Sequence, residues 1–122
     1  MTDGETTLAE LRARMTAFVR ERRWQKYHKP KNLAMSIAIE AAELMEHFQW
    51  LDHAEAASAL RRRQVRKEVS HEMADILAFL LSLANELDID LAASFEEKMR
   101  RNERKYPAAR CRGHYKRPTR KG

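Results

Sequence analysis

Two pairs of acids carry the most chemistry in this 122-residue chain, Glu40-x-x-Glu43 and Glu72-x-x-Asp75. A spacing of three puts both members of each pair on one face of a helix. At about 100° per residue, Glu72 lies within about 40° of Val65, Ile76, Phe79 and Leu83, inside the apolar stripe of its own helix. Glu40 falls beside Leu33, Leu44 and Leu51 in the same way, and Glu43 follows it. Burying an isolated carboxylate costs several kcal/mol, so such groups are normally paired with cations or bind metal. Two pairs on adjacent helices make a box of four acids that something positive should fill.

Arginine is one filler: Arg61, Arg62, Arg63, Arg66 and Lys67 are near in sequence, but they fall mostly away from the acidic face. A metal fits better. All-oxygen ligands with no Cys or convergent His select a hard cation, Mg²⁺ or alternatively Mn²⁺. Magnesium keeps waters and commonly shares itself with substrate phosphates, which points to a phosphate-ester or phosphoanhydride site. A di-iron bundle would want two Glu-x-x-His motifs. Glu68-x-x-His71 supplies one copy, and no other His stands three residues after a Glu.

The elements that must position these acids are helices. Gly occurs only at 4, 113 and 122 and Pro only at 30, 107 and 118, so the central region lacks breakers. A first helix opens at Thr7, with Glu10 completing a capping box, and carries Leu8, Leu11, Met15, Phe18 and Val19 at helical spacing. Residues 25–30 read as a connector, because His28 and Lys29 precede a proline. A second helix runs from about residue 31 or 32 to Leu51. Asp52 and Glu55 form another capping box and open a short helix from Ala54 to about Arg62. A third runs from about Gln64 to Leu87, and Asp90 caps a fourth that extends to about Lys105. The fold class is an all-α, four-helix-bundle-like domain over residues 1–106, with a basic, irregular C-terminal tail over 107–122. The third helix is apolar on every side from Ile76 to Ala84, which places it at the centre of the domain and in a subunit contact.

The net charge of +6 is a property of the tail, where residues 107–122 hold six bases and no acid, leaving residues 1–106 formally neutral. That location argues against nucleic acid as the partner of the folded part and favours a solvated tail. The longest nearly apolar run has nine residues, far short of the roughly 18 that a bilayer crossing needs, so no membrane partner is expected. The opening residues lack the pattern of a signal peptide. The lone Cys111 can make neither an internal disulfide nor a Cys-based zinc site. These features point to a cytoplasmic location.

Taken together, Trp24-Gln-Lys-Tyr-His28-Lys-Pro-Lys-Asn32, Glu40-Ala-Ala-Glu43 leading to Phe48-Gln-Trp50, Glu72-Met-Ala-Asp75, and Lys98 with Asn102 and Tyr106-Pro107 resemble the MazG-like nucleoside triphosphate pyrophosphohydrolases. Within them the chain is similar to the dCTP-pyrophosphatase-like branch. The resemblance spans about Phe18 to Pro107. It implies an all-α enzyme that cleaves a nucleoside triphosphate, dCTP or a modified deoxynucleotide, to the monophosphate and pyrophosphate by attack of water on the α-phosphorus.

By position, the resemblance makes Glu40, Glu43, Glu72 and Asp75 the catalytic magnesium ligands. Lys98 and Asn102 would meet phosphates and sugar, with Tyr106 in the same ending. Trp24 and Trp50 would line the base pocket, with His28 and Phe79 as further pocket residues. Members of the family form dimers or tetramers, which makes a homo-oligomer the expected assembly. Met15 stands where dCTP-specific relatives have a His, and Phe79 where a Tyr is common, so base selectivity should be less sharp here. The competing reading is a non-enzymatic helical binding module that acts through the basic tail.

Overall fold

In the computed structural model, residues 1–116 and 118 are described. Helices account for all the regular structure among them: α1 (Leu8–Glu21), α2 (Pro30–Glu46), α3 (His53–Ala59), α4 (Arg63–Leu87), α5 (Leu91–Lys105) and α6 (Ala108–Cys111). Contacts divide the chain into two compact units, Met1–Asp88 and Ile89–Gly122. Among the described residues, no helix is long and apolar enough to cross a membrane.

In the first unit, Thr7 and Glu10 form the capping box at the start of α1, with bonds of 2.9 and 3.1 Å that satisfy two orphan amides. The helix stops where Arg23 takes a positive φ of 52°, and Trp24 N–H turns back onto the Val19 carbonyl at 3.0 Å. This reversal brings the Trp24 indole beside Phe18. Pro30 opens α2 at N1, where a missing N–H costs nothing. The helix thus begins one or two residues earlier than expected, and the Asn32 side chain donates to the Tyr27 carbonyl at 3.0 Å to fix the connector.

The second helix also ends sooner than its apolar pattern suggested, at Glu46 rather than Leu51. From His47 the bonds shorten to i→i−3, with His47 N–H on the Leu44 carbonyl and Phe48 N–H on that of Met45. Asp52 and Glu55 then cap α3 reciprocally. Arg62 is extended (ψ 125°) and separates α3 from α4, so the two are distinct helices. Asp88, in the left-handed region, closes α4.

The long α4 is the common support: α2 packs along it, and α1 packs on it as well. Val19, Leu33, Leu81 and Ala84 form the buried apolar core, with Leu33 only 2% exposed. A polar latch joins α1 to α4. Arg12 donates Nε–H to Asn85 Oδ1 (2.9 Å) and a guanidinium N–H to the Ala84 carbonyl (3.1 Å). Asn85 returns its amide to the Arg12 carbonyl (3.0 Å) and Thr16 Oγ1 (3.2 Å). Met73, Leu77, Leu80 and Leu87 form a partly exposed apolar stripe on α4, which at Leu77 borders Leu11 of α1.

In the second unit, the Asp90 carboxylate accepts the Ala93 N–H at 2.9 Å and starts α5 as expected. The helix ends at Lys105, with Tyr106 N–H on the Asn102 carbonyl at 2.7 Å. Pro107 then leads into the single turn of α6, which gives the first part of the tail a defined shape. The tail bases Arg117, Arg120 and Lys121 lie outside the described residues.

Candidate functional site

Packing of α2 against α4 brings the acids together. Glu40, Glu43 and Glu72 each present a carboxylate oxygen, and the three oxygens lie within 4.8 Å of one another. Glu40 Oε2 and Glu72 Oε2 are buried without a hydrogen-bond partner. Asp75 is not part of this triad. It is exposed and lines the aromatic cavity described below, yet its charge still reaches Glu40. The Glu40 carboxyl is pushed up to about 7. Desolvation is the first cause, followed by Glu43 as hydrogen-bond partner and like charge, then by the charges of Asp75 and Glu72.

Among the described residues, Arg61, Arg62, Arg63, Arg66 and Lys67 form no ion pair with these carboxylates. Among the described residues, the basic side chain paired with the box is His47, whose Nε2 lies 3.7 Å from Glu72 Oε1. Crowded like charges with orphaned oxygens are what a hard divalent cation relieves, and an oxygen-only donor set suits such a cation.

A second feature lies beside the acids. Trp24 packs edge-on against Phe18 (centroids 5.8 Å apart, 75° between planes) and stacks on His28 at 6.3 Å and 21°. The His28 ring in turn meets Phe79 at 6.3 Å. These four rings, with Met15, Asp75 and Ala78, line a cavity of about 320 Å³. Burial holds the His28 pKa below its ordinary value, only partly opposed by the Glu86 carboxylate, so the imidazole is neutral at neutral pH. A neutral aromatic slot adjoining a cluster of acids can take a planar group on one side and a phosphate–metal complex on the other.

Of the expected pocket residues, Trp24, His28 and Phe79 thus converge. Trp50 does not join them: it ends the turn after α2, is 84% exposed, and does not line the cavity. Lys98 and Asn102 sit one turn apart on α5 and Tyr106 follows as its C-cap, all within the second unit. Phe18 and His47 were not expected at the site. The signal for His47 was available, since it follows Glu43 by four residues and so shares its helical face. Phe18 looked like ordinary stripe residue, and only the chain reversal at Arg23 turns it toward Trp24.

The all-α fold agrees with the comparisons. The MazG-like family profile matches residues 35–116, and the chain belongs to the MazG-like family. It is 34% identical over 109 residues to dCTP pyrophosphatase 1 of Rattus norvegicus, covering 89% of this chain and 64% of that protein. It is 35% identical over 104 residues to dCTP pyrophosphatase 1 of Homo sapiens, with 85% and 61% covered. The chain therefore spans less than two-thirds of the length of these relatives. A solved pyrophosphatase structure from Archaeoglobus fulgidus DSM 4304 superposes with a TM-score of 0.78 at 42% identity, covering 88% of this chain and 98% of that one.

Proposed function

We propose that this chain is a magnesium-dependent nucleoside triphosphate pyrophosphohydrolase that converts a (deoxy)nucleoside triphosphate, dCTP or a modified deoxynucleotide, and water to the monophosphate and pyrophosphate. The observation that carries this reading is the triad of Glu40, Glu43 and Glu72 with two orphaned buried oxygens, next to a cavity walled by rings. The names of the relatives support the same reaction class. Residues 1–106 would form the catalytic part and residues 107–122 a basic tail.

Glu40, Glu43 and Glu72, with Asp75 beside them, would hold the cation. When bound, magnesium would neutralise charge on the phosphoryl oxygens and lower the cost of deprotonating water. The chain's own residues do the rest. A carboxylate of the box with an unspent oxygen accepts the proton of the attacking water. Trp24, His28, Phe18 and Phe79 hold the base, and thereby set where the α-phosphate falls relative to the acids. His47 keeps the Glu72 carboxylate turned toward the box. Lys98, Asn102 and Tyr106 are assigned to phosphate and sugar recognition, and Trp50 to the base, by the family resemblance alone.

The test is product identity from a panel of dNTPs, NTPs and modified nucleotides, with and without Mg²⁺. The expected result is monophosphate plus pyrophosphate, formed only with the metal. Orthophosphate would move the cut to another phosphoanhydride bond, and absence of turnover would sink the proposal.

The stripe of Met73, Leu77, Leu80 and Leu87 supports a homodimer or homotetramer, because an apolar helix face of this length is rarely left in water. Light scattering is expected to give a multiple of the chain mass at micromolar concentration. A monomer would refute this assembly.

A further inference from the structure

Behind the aromatic cavity lies a second one, of about 220 Å³, which shares Met15 and His28 with it and extends to Ser82, Asn85 and Glu86. Its polar inventory is mostly spent. Both ends of the Asn85 amide are committed to Arg12 and Thr16, and Glu86 faces Lys29 Nζ at 3.4 Å. Arg20 and Gln25 at its rim are exposed, and two buried atoms of the lining are left without a partner. Ser82 is only 5% exposed on the core side of α4, yet its Oγ has no hydrogen-bond partner, and neither does the buried Nδ1 of His28. A helical Ser normally satisfies itself on the carbonyl one turn back. A buried hydroxyl that does not, at the edge of a cavity, is an unmet demand that destabilises the empty site.

We infer that Ser82, together with His28, is a specificity-determining subsite that hydrogen-bonds the exocyclic amino or keto group at position 4 of a pyrimidine base seated among the rings. This rests on reading the aromatic cavity as the base pocket. The ring walls are blind to the hydrogen-bonding pattern of a base, whereas these two atoms are not. Both groups are ambivalent: a hydroxyl rotates to donate or accept, and a neutral imidazole offers either according to its tautomer. The subsite therefore demands a polar group without dictating its sense. An amino-bearing base and its keto counterpart should be accepted alike, and a base lacking the group should be rejected.

The test is calorimetric titration of the protein with three monophosphates: dCMP, dUMP, and the deoxyribonucleotide of pyrimidin-2-one, which keeps the 2-keto group but has neither an amino nor a keto group at position 4. Wild type is expected to bind dCMP and dUMP within about threefold of each other and the third about five- to tenfold more weakly. Ser82→Ala should bring the third within about threefold of dCMP. Its melting temperature should be unchanged or higher, since the substitution removes a buried hydroxyl that has no partner.

An unchanged dCMP-to-analogue ratio in Ser82→Ala would overturn the inference alone. So would a lowered melting temperature, the sign of a hydroxyl with a structural partner. Wild type that binds none of the three and turns over no triphosphate would overturn the base-pocket reading and this inference with it.

Discussion

Glu43→Ala is expected to lower magnesium-supported pyrophosphate release by about a thousandfold or more, the scale on which losing several kcal/mol of transition-state stabilisation acts. Glu43 contributes one of the three oxygens within 4.8 Å, so its removal leaves Glu40 and Glu72 as an incomplete clamp. The same substitution removes both a hydrogen-bond partner and a like charge from Glu40, whose pKa should then fall toward the ordinary carboxylate range. The variant should fold at least as well as wild type without metal, because it relieves repulsion inside the box. Steady-state assay, magnesium titration and thermal melting together check this. Activity within tenfold of wild type, at the same magnesium requirement, would remove Glu43 from the centre.

The second large effect is on the pH dependence of metal binding. With the Glu40 pKa at about 7, the metal-free box holds a proton that a cation must displace. Magnesium affinity should therefore drop by about a hundredfold between pH 8 and pH 5, roughly tenfold per unit below the pKa. Stability without metal runs the other way. Between about 4.5 and about 7 the folded chain keeps a proton that the unfolded chain has released, so Glu40's contribution to stability is fully present below 4.5 and is lost as pH rises through 7. Magnesium should raise the melting temperature strongly at pH 8 and little at pH 5.5, and Glu40→Gln should flatten the metal-free dependence. An equal magnesium shift at both pH values would contradict the raised pKa.

The parts of the fold legible in sequence were those with local causes. Thr7–Glu10, Asp52–Glu55 and Asp90 announce helix starts because a cap is a contact between residues three apart. The acid box was legible because carboxylates inside apolar stripes are costly enough to need a reason. Features decided at longer range were not. Nothing near Glu46 forecasts the tightening at His47, since the apolar pattern continues to Leu51. Helical spacing pairs Asp75 with Glu72 but does not reveal that Asp75 would line the aromatic cavity instead of joining the triad. Trp50 was singled out by its residue type, but its place after the shortened helix leaves it outside the aromatic cavity. Ser82 passed as one polar residue in an apolar run, and only the spent partners around it expose its unmet hydroxyl.

The helix α4 supports two different jobs on two different neighbours. Against α2 it gathers charge, and against α1, held by the Arg12–Asn85 latch, it shapes the aromatic slot. Under the proposed function, reaction type and substrate choice are therefore written on separate helices that share one beam. Substitutions at Met15 or Phe18 can refit the slot to a new base while the anionic clamp stays as it is. A scaffold wired in this way can acquire new nucleotides to destroy without having to reinvent how it destroys them.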